Sequence, residues 1–335
     1  RTGSVLFFCS SREIDARILS QSGYEFLPLP AVGLSGHPVR LIRFFAQFMK
    51  SYYFVKQVLT PLRQDAVVLG TGGFVAGPVV LAARSLNIPC YLINVDSVPG
   101  RANRFISRFA KRIFVQFEDS GALFSSKPVE TVGCPLRAGF EDPDRERAFS
   151  ALSLDLYKKV VVFTGASSGS LSINRAVVSI LPALSAFAGD WQIVHLTGHQ
   201  HIEQVQQSAA QSAMTYRAVD YYDAMPSLLA AADIVVGRAG AVSVAEFAAA
   251  GRPAICIPYP YHKDRHQYHN AQKLVDAGAA VLVEDCVRNP GVTAAALQES
   301  LADLMQDAAR RETMARQARQ LHRPHAARRI LESIM

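Results

Sequence analysis

Short apolar runs alternate along this chain with longer segments that are apolar only every third or fourth residue. The short runs, bounded by Gly, Pro, Ser or Asn, have the pattern of strands buried on both faces. The longer segments have the pattern of helices with one buried side. Read this way, residues 5–9, 25–29, 66–69, 89–94 and 113–116 are strands. Helices are expected at 13–22, 39–59, from the glycine-rich turn 70–78 to residue 86, and at 101–112. Gly133-Cys134-Pro135 closes this run, and the polar stretch 138–147 reads as a linker. The alternation then restarts, with strands at 159–163, 192–196, 214–219, 234–236 and 254–257. A turn at 165–169 and a helix at 172–187 follow the first of these, and a helical tail runs from Thr293 with a break at Pro324.

Two successive series of strand–helix units predict an α/β protein of two doubly wound, Rossmann-like domains. The first covers residues 1–135 and the second begins at 136. Ligands of such folds sit at the carboxyl ends of the strands, here expected at a central cleft that the domains face. The chain opens almost directly on a strand. A preceding strand–turn–helix unit of about 30 residues is therefore expected to be missing from the first domain.

Composition narrows the picture. Half the residues are apolar and 19% are charged, which is a globular balance. No apolar stretch approaches the ~18–20 residues that span a bilayer. The five cysteines are scattered, never in a C-x-x-C pair, and read as buried free thiols. Charge is uneven: fifteen Lys and Arg stand against eight Asp and Glu up to Cys134, and twenty against twenty after it. The whole net charge of +7 therefore belongs to the first domain.

That domain also carries Leu41–Val55, apolar nearly all round, with Arg40, Arg43, Lys50 and Lys56 beside it. Arg101, Arg104, Arg108, Lys111 and Arg112 fall at helical spacing on a second basic segment. Aromatic residues such as Phe44 and Phe48 among cations suit an anionic membrane surface. A core helix with a solvated charge stripe reads equally well. No nucleic-acid motif accompanies the patch, so nucleic acid is not expected as a partner.

The second domain concentrates the chemistry between Arg238 and Asn270. Two strand–turn–helix units there present helix N-termini, which suit an anion such as phosphate. Gly165-Ala-Ser-Ser-Gly-Ser170 is a third such turn, where the Ser167 hydroxyl can donate to a phosphate. No Gly-Lys-Ser/Thr follows it, so it is not a P-loop, and Gly70–Gly77 is not in G-x-G-x-x-G register. Ser243-Val-Ala-Glu246 has the form of a capping box, and Glu246 either caps its helix or holds vicinal hydroxyls of a ribose. His262, His266 and His269 have helical spacing, but Asp264 looks like an N-cap that leaves His262 outside the helix. No metal and no cofactor are expected; Gln267 and Asn270 are expected to meet sugar hydroxyls instead.

These stretches carry a resemblance. Arg238-Ala-Gly-Ala-Val-Ser-Val-Ala-Glu246, Ala248-Ala-Ala-Gly-Arg-Pro-Ala254 and His262-Lys-Asp-Arg-His-Gln-Tyr-His-Asn270 are similar to motifs of the MurG family of peptidoglycan N-acetylglucosaminyltransferases. So are Gly72-Gly-Phe-Val-Ala-Gly-Pro78, Val98-Pro-Gly-Arg-Ala-Asn103 and Gly133-Cys-Pro-Leu-Arg137. The resemblance implies a GT-B fold, with a UDP-sugar domain at 136–319 and a C-terminal helix, about 320–335, packing back on an acceptor and membrane domain. It implies inverting transfer of GlcNAc from UDP-GlcNAc to the MurNAc C4 hydroxyl of undecaprenyl-linked lipid I, giving lipid II. The implied place is the cytoplasmic face of the plasma membrane, held peripherally.

By the same resemblance uracil lies near Tyr222, ribose on Glu246, and phosphates on Ser167 and the turn Ala241-Val242-Ser243. The sugar lies near Gln267 and Asn270, Arg137 serves the donor, and Arg238 helps to neutralise the diphosphate. Arg43, Lys50, Arg104 and Arg108 with Phe44 and Phe48 mark the membrane side. The family's Gly-Gly-Thr-Gly-Gly-His loop, which carries a candidate catalytic histidine, is not in this sequence. Asp96 replaces an amide of the family and stands as a hydrogen-bond acceptor or a base; the identity of the catalytic base stays open. A non-catalytic nucleotide-sugar binder, another GT-B transferase and a UDP-sugar epimerase remain as other readings.

Overall fold

Every strand pairing among the described residues is parallel, which accounts for the unbroken apolar runs in the sequence. The computed structural model describes residues 4–33, 37–124, 127–166, 169–261 and 264–335. They fall into two compact units. One takes the chain up to Val95, Pro99–Val132 and Ile330–Met335; the other takes Asp96–Val98 and Gly133–Arg329.

The first unit runs β1 (Leu6–Ser10), α1 (Glu13–Ser22), β2 (Glu25–Leu29), α2 (Pro38–Leu59), β3 (Val68–Gly70), α3 (Gly73–Ser85), β4 (Cys90–Asn94), α4 (Arg101–Ile106), β5 (Arg112–Val115), α5 (Glu118–Gly121) and β6 (Val129–Thr131). Strands β3-β4-β5-β6 form one sheet, and among the described residues β1 pairs only with β2. Leu29, Val55, Val80, Leu92 and Ile113 share one core beneath these elements. Each such side chain contributes about 1.5–3 kcal/mol by leaving water. Ile330, from the end of the chain, packs with Tyr91, Phe114 and Val132 in a second cluster.

Two expectations change here. The helix expected over 101–112 stops at Ile106, continues as a 3-10 turn at Ser107–Phe109, and gives way to β5 at Arg112. Sheet pairing wins over helical spacing, because Ile113 and Phe114 are fully buried beside β4 and β6. Arg112 therefore leaves the basic stripe and pairs with Glu130 at 3.1 Å. Helix α2 is not apolar all round in its packing either. Phe44 and Phe48 are half-buried, and a Cβ on Gly77 of α3 would stand 3.1 Å from the Phe48 ring.

The second unit runs α6 (Arg145–Ala151), β7 (Lys159–Thr164), α7 (Leu171–Leu184), β8 (Trp191–Leu196), α8 (Ile202–Ala209), β9 (Thr215–Val219), α9 (Met225–Ala231), β10 (Ile234–Gly237), α10 (Ala241–Ala250), β11 (Ala254–Cys256), α11 (His266–Asp276), β12 (Ala280–Leu282), α12 (Pro290–Gln306) and α13 (Ala308–Leu321), and the last helix, α14 (Ala326–Ile334), belongs to it up to Arg329 and to the first unit from Ile330. Part of the expected linker 138–147 is helical: Asp144 caps α6 by accepting from the Arg147 amide. The six strands stand in the order β12-β11-β10-β7-β8-β9. Alternate residues Val161, Phe163, Ile193, Val236 and Ile255 face a core shared with α7 and α12. Their neighbours Val160, Val162, Val194 and Val235 are just as buried, on the opposite face of the sheet.

A polar chain crosses this core. His195 of β8 is fully buried, with Nε2 at 3.0 Å from Asn174 Oδ1 and Nδ1 at 2.5 Å from the Tyr216 hydroxyl. Asn174 donates its amide to the Thr197 carbonyl at 2.9 Å, so its Oδ1 can only accept. Nε2 of His195 therefore carries the proton, and Nδ1 accepts from Tyr216. Burial lowers the imidazole pKa to about 3. The unfolded chain binds a proton near pH 6.5 that the folded chain refuses, so stability falls as pH drops from there toward 3. The limiting slope is ~1.4 kcal/mol per pH unit. In denaturant titrations from pH 7 to 4, His195→Gln should show a flatter loss of stability than the unsubstituted protein. Equal slopes would place the acid sensitivity elsewhere.

Candidate functional site

The order of strands in the second unit fixes where a ligand can enter. From β7 the chain builds outward to β8 and β9, then returns to the other side of β7 with β10, β11 and β12. The neighbours β7 and β10 are thus where the winding reverses, and the turns that leave their carboxyl ends diverge. The approach there is close. A Cβ on Gly237, the last residue of β10, would stand 2.7 Å from Thr164 Cγ2 and 2.9 Å from the Thr164 carbonyl. Gly169, after β7, has φ +73° and lies against the Thr197 carbonyl. Neither place admits a side chain.

Helix α10 starts at this point. Its N-cap is Gly240 in an extended conformation, and no side chain caps it. The first amides of the helix, at Ala241, Val242 and Ser243, point out of its N-terminus and can receive an anion. The capping box expected at Ser243–Glu246 does not form. With the helix starting at Ala241, Ser243 is the third helical residue and Glu246 the sixth, out of reach of the end.

Glu246 is instead buried on α10, with Oε1 at 3.7 Å from Arg137 Nε. Burial raises its pKa, and the Arg137 charge offsets part of that rise. Arg137 also donates to the Asp223 carbonyl at 3.2 Å, which brings the Tyr222 loop beside Glu246. Tyr222 is half-buried, its hydroxyl pKa raised chiefly by burial, with Arg147 and Asp144 near it. Cys134 lies close by: burial first, then the charges of Glu246 and Asp96, push its thiol up to about 12. It is an inert thiol at neutral pH.

Asn270 is not open to a sugar. It is fully buried on α11, and its amide is committed. Oδ1 accepts from the Ser97 amide at 2.9 Å; Nδ2 donates to Asp96 Oδ1 at 3.0 Å and to the Ala239 carbonyl at 3.4 Å. The expected sugar contact becomes a clamp that holds Asp96 beside the turn after β10. Gln267 is half-buried, and its Oε1 accepts from the Tyr259 amide at 2.9 Å. Helix α11 begins at His266 after Arg265, which takes the N-cap position in place of Asp264. Asp264 pairs with His266 Nε2 at 2.6 Å. Among the described residues no group of three His, Cys, Asp or Glu could hold a metal ion. Ser167 and His262 lie outside the described residues.

Arg238 is also placed differently from expectation. It is buried, and Nη2 lies 2.8 Å from Asp285 Oδ2 and 2.7 Å from the hydroxyls of both Ser170 and Ser172. Nη1 donates to the carbonyls of Ile257 and Pro258. Its charge is balanced inside the protein and is not spare for a diphosphate. Ser170 belongs to the glycine turn noted in the sequence, but nothing there pointed to Asp285, which stands 47 residues from its partner.

In the first unit, Arg43, Lys50, Arg104 and Arg108 are exposed, as a surface role requires. Phe44 and Phe48 are not among the exposed apolar residues of α2; Val39, Leu41 and Phe54 are, and so are Ile42, Phe45, Met49 and Tyr53. The last four recur along the helix. Their spacing of three and four residues makes one stripe.

Comparison with known proteins bears on the whole chain. The glycosyltransferase family 28 N-terminal domain matches residues 1–115, and the C-terminal domain of the same family matches residues 160–330. The chain is 33% identical over 330 residues to the UDP-N-acetylglucosamine--N-acetylmuramyl-(pentapeptide) pyrophosphoryl-undecaprenol N-acetylglucosamine transferase of Lactiplantibacillus plantarum, covering 98% of this chain and 89% of that protein. The protein of the same name from Rubrobacter xylanophilus is 34% identical, over 100% of this chain and 96% of its own. Among solved structures, MurG of Acinetobacter baumannii superposes with TM-score 0.76 at 26% identity, covering 99% of this chain and 90% of its own. A UDP-GlcNAc 2-epimerase from Neisseria meningitidis, at 17% identity and TM-score 0.66 over 99% of this chain and 91% of its own, shares the fold.

The raised pKa of Glu246 has a consequence for stability. The folded state disfavours its charged form, so this group's contribution is most favourable below the unfolded pKa and is lost as pH rises through the folded one. Glu246→Gln should therefore raise the melting temperature at pH 8, and the gain should shrink as pH falls through the raised folded pKa and be gone below 4.5. A variant less stable than the unsubstituted protein at pH 8 would contradict this.

Proposed function

This chain belongs to glycosyltransferase family 28, and from that premise we propose that it transfers N-acetylglucosamine from UDP-GlcNAc to the N-acetylmuramyl sugar of an undecaprenyl-linked lipid I. The product is lipid II, the precursor of peptidoglycan. What carries the reading is the identity of 33–34% to enzymes named for this reaction, spread over 98% or more of the chain. The fold and the site are compatible with it.

The donor is assigned to the place where β7 and β10 part. The diphosphate accepts from the uncapped amides of Ala241–Ser243 at the positive end of α10. The Glu246 carboxylate accepts from the ribose hydroxyls, with Arg137 beside it. The Tyr222 loop faces the uracil, and Gln267 lies on the sugar side. UDP leaves with growing negative charge, which fixed amide dipoles stabilise without reorganising. The attacking C4 hydroxyl needs a base. We assign Asp96 to that hydroxyl as hydrogen-bond acceptor and candidate base, held in place by Asn270.

The first unit is assigned to the acceptor and to the membrane. The stripe Ile42, Phe45, Met49 and Tyr53 enters the interface while Arg43 and Lys50 meet anionic headgroups. No helix of the described residues is long and apolar enough to cross a membrane. Peripheral attachment at the cytoplasmic face completes the proposal.

Two experiments test it. Mixing the protein with UDP-GlcNAc and a lipid I analogue should release UDP only when the acceptor is present. Acceptor-independent epimerisation of UDP-GlcNAc would instead support another member of the fold. Ile42→Ser with Phe45→Ser should weaken sedimentation with anionic vesicles about a hundredfold or more, since each of the two side chains contributes ~1.5–3 kcal/mol on burial and tenfold corresponds to ~1.4 kcal/mol. UDP affinity should not change in that variant. Unchanged vesicle binding would sink the membrane role of this stripe.

A further inference from the structure

We propose that Asp285, with Ser170 and Ser172, is a positioning device for the anion-binding turns, acting through Arg238. The inference rests on the donor-site reading above. Arg238 follows β10, and its acceptors follow three other strands. Ser170 and Ser172 come after β7, Ile257 and Pro258 after β11, and Asp285 after β12. In the sheet these four strands are consecutive neighbours, β12-β11-β10-β7. One guanidinium thus ties four adjacent strand ends together at the edge where the fold binds ligands. The planar fork of arginine suits this, because it offers several donors at fixed angles.

The partners are held in turn. Ser172 donates its hydroxyl to Asp285 Oδ2 at 2.7 Å, and the Ser170 hydroxyl lies 3.3 Å from that of Ser172. The Ser170 carbonyl accepts from the Asn174 amide at 2.9 Å, so the tie continues into α7. Asp285 and Arg238 have side chains only 4% and 8% exposed. A buried ion pair of this kind loses much of its attraction to desolvation and is a weak source of stability. What it does supply is geometry. It fixes Gly169–Ser172 against the entrance of α10, so the two turns that receive the diphosphate keep their spacing without a ligand. Affinity then does not have to be spent on ordering them.

Calorimetric titration with UDP tests this. The unsubstituted protein must bind UDP; if it does not, the donor-site reading fails and not the tie. Asp285→Asn should weaken UDP binding about tenfold or more, equivalent to ~1.4 kcal/mol. Ser170→Ala with Ser172→Ala keeps the ion pair, removes both hydroxyls, and should weaken binding about threefold or more. A purely structural role would lower the fraction of protein that binds while leaving the dissociation constant where it was. The double serine variant decides alone if Asp285→Asn fails to fold. A dissociation constant within about twofold of the unsubstituted protein in the variants that fold overturns the proposal.

Discussion

The site depends on how closely β7 and β10 approach at their carboxyl ends. They lie side by side in parallel, so tight at Thr164 and Gly237 that no side chain fits between them. The chain must leave each strand through a glycine-bearing turn, and each turn opens a helix. Helix α10 starts with its amides uncapped because Gly240, at the cap, has no side chain to offer. An unsatisfied helix end is normally a cost, and at this edge its amides are open to an anion.

Around that end the protein places charges that do not favour its own stability. Glu246 is buried with its carboxyl pKa raised, and one arginine at 3.7 Å only partly compensates. Such an arrangement is expected where a carboxylate is kept for a ligand and not for the fold. Arg238 is the opposite case. Its charge is matched by Asp285, and both of its terminal nitrogens donate within the protein, to acceptors that follow three neighbouring strands' ends. The two residues sit eight positions apart in one motif, and only their partners tell these roles apart.

Much of the fold was legible because parallel strands are buried on both faces and read as short apolar runs. Glu246 was legible as a carboxylate in a turn–helix motif, although its capping role was not decided until the helix start was known. The helix expected over 101–112 was misread because Arg104, Arg108 and Arg112 keep a period that the sheet overrules at Ile113. Asn270 looked like a sugar ligand because nothing local points to Asp96, which is 174 residues away. Phe44 and Phe48 shared a helix with the exposed stripe, and only packing against α3 separates Phe48 from Phe45. Long-range partners of polar residues were the part the sequence did not disclose.

A nucleoside diphosphate is assigned here to the N-terminus of α10. Amide hydrogen exchange with and without saturating UDP checks that assignment at the atoms concerned. The uncapped amides of Ala241, Val242 and Ser243 should exchange quickly in the free protein and slow markedly once the diphosphate accepts from them. Slowing is also expected at Gly169–Ser172. If UDP binds and those amides exchange at an unchanged rate, the diphosphate lies elsewhere on the protein.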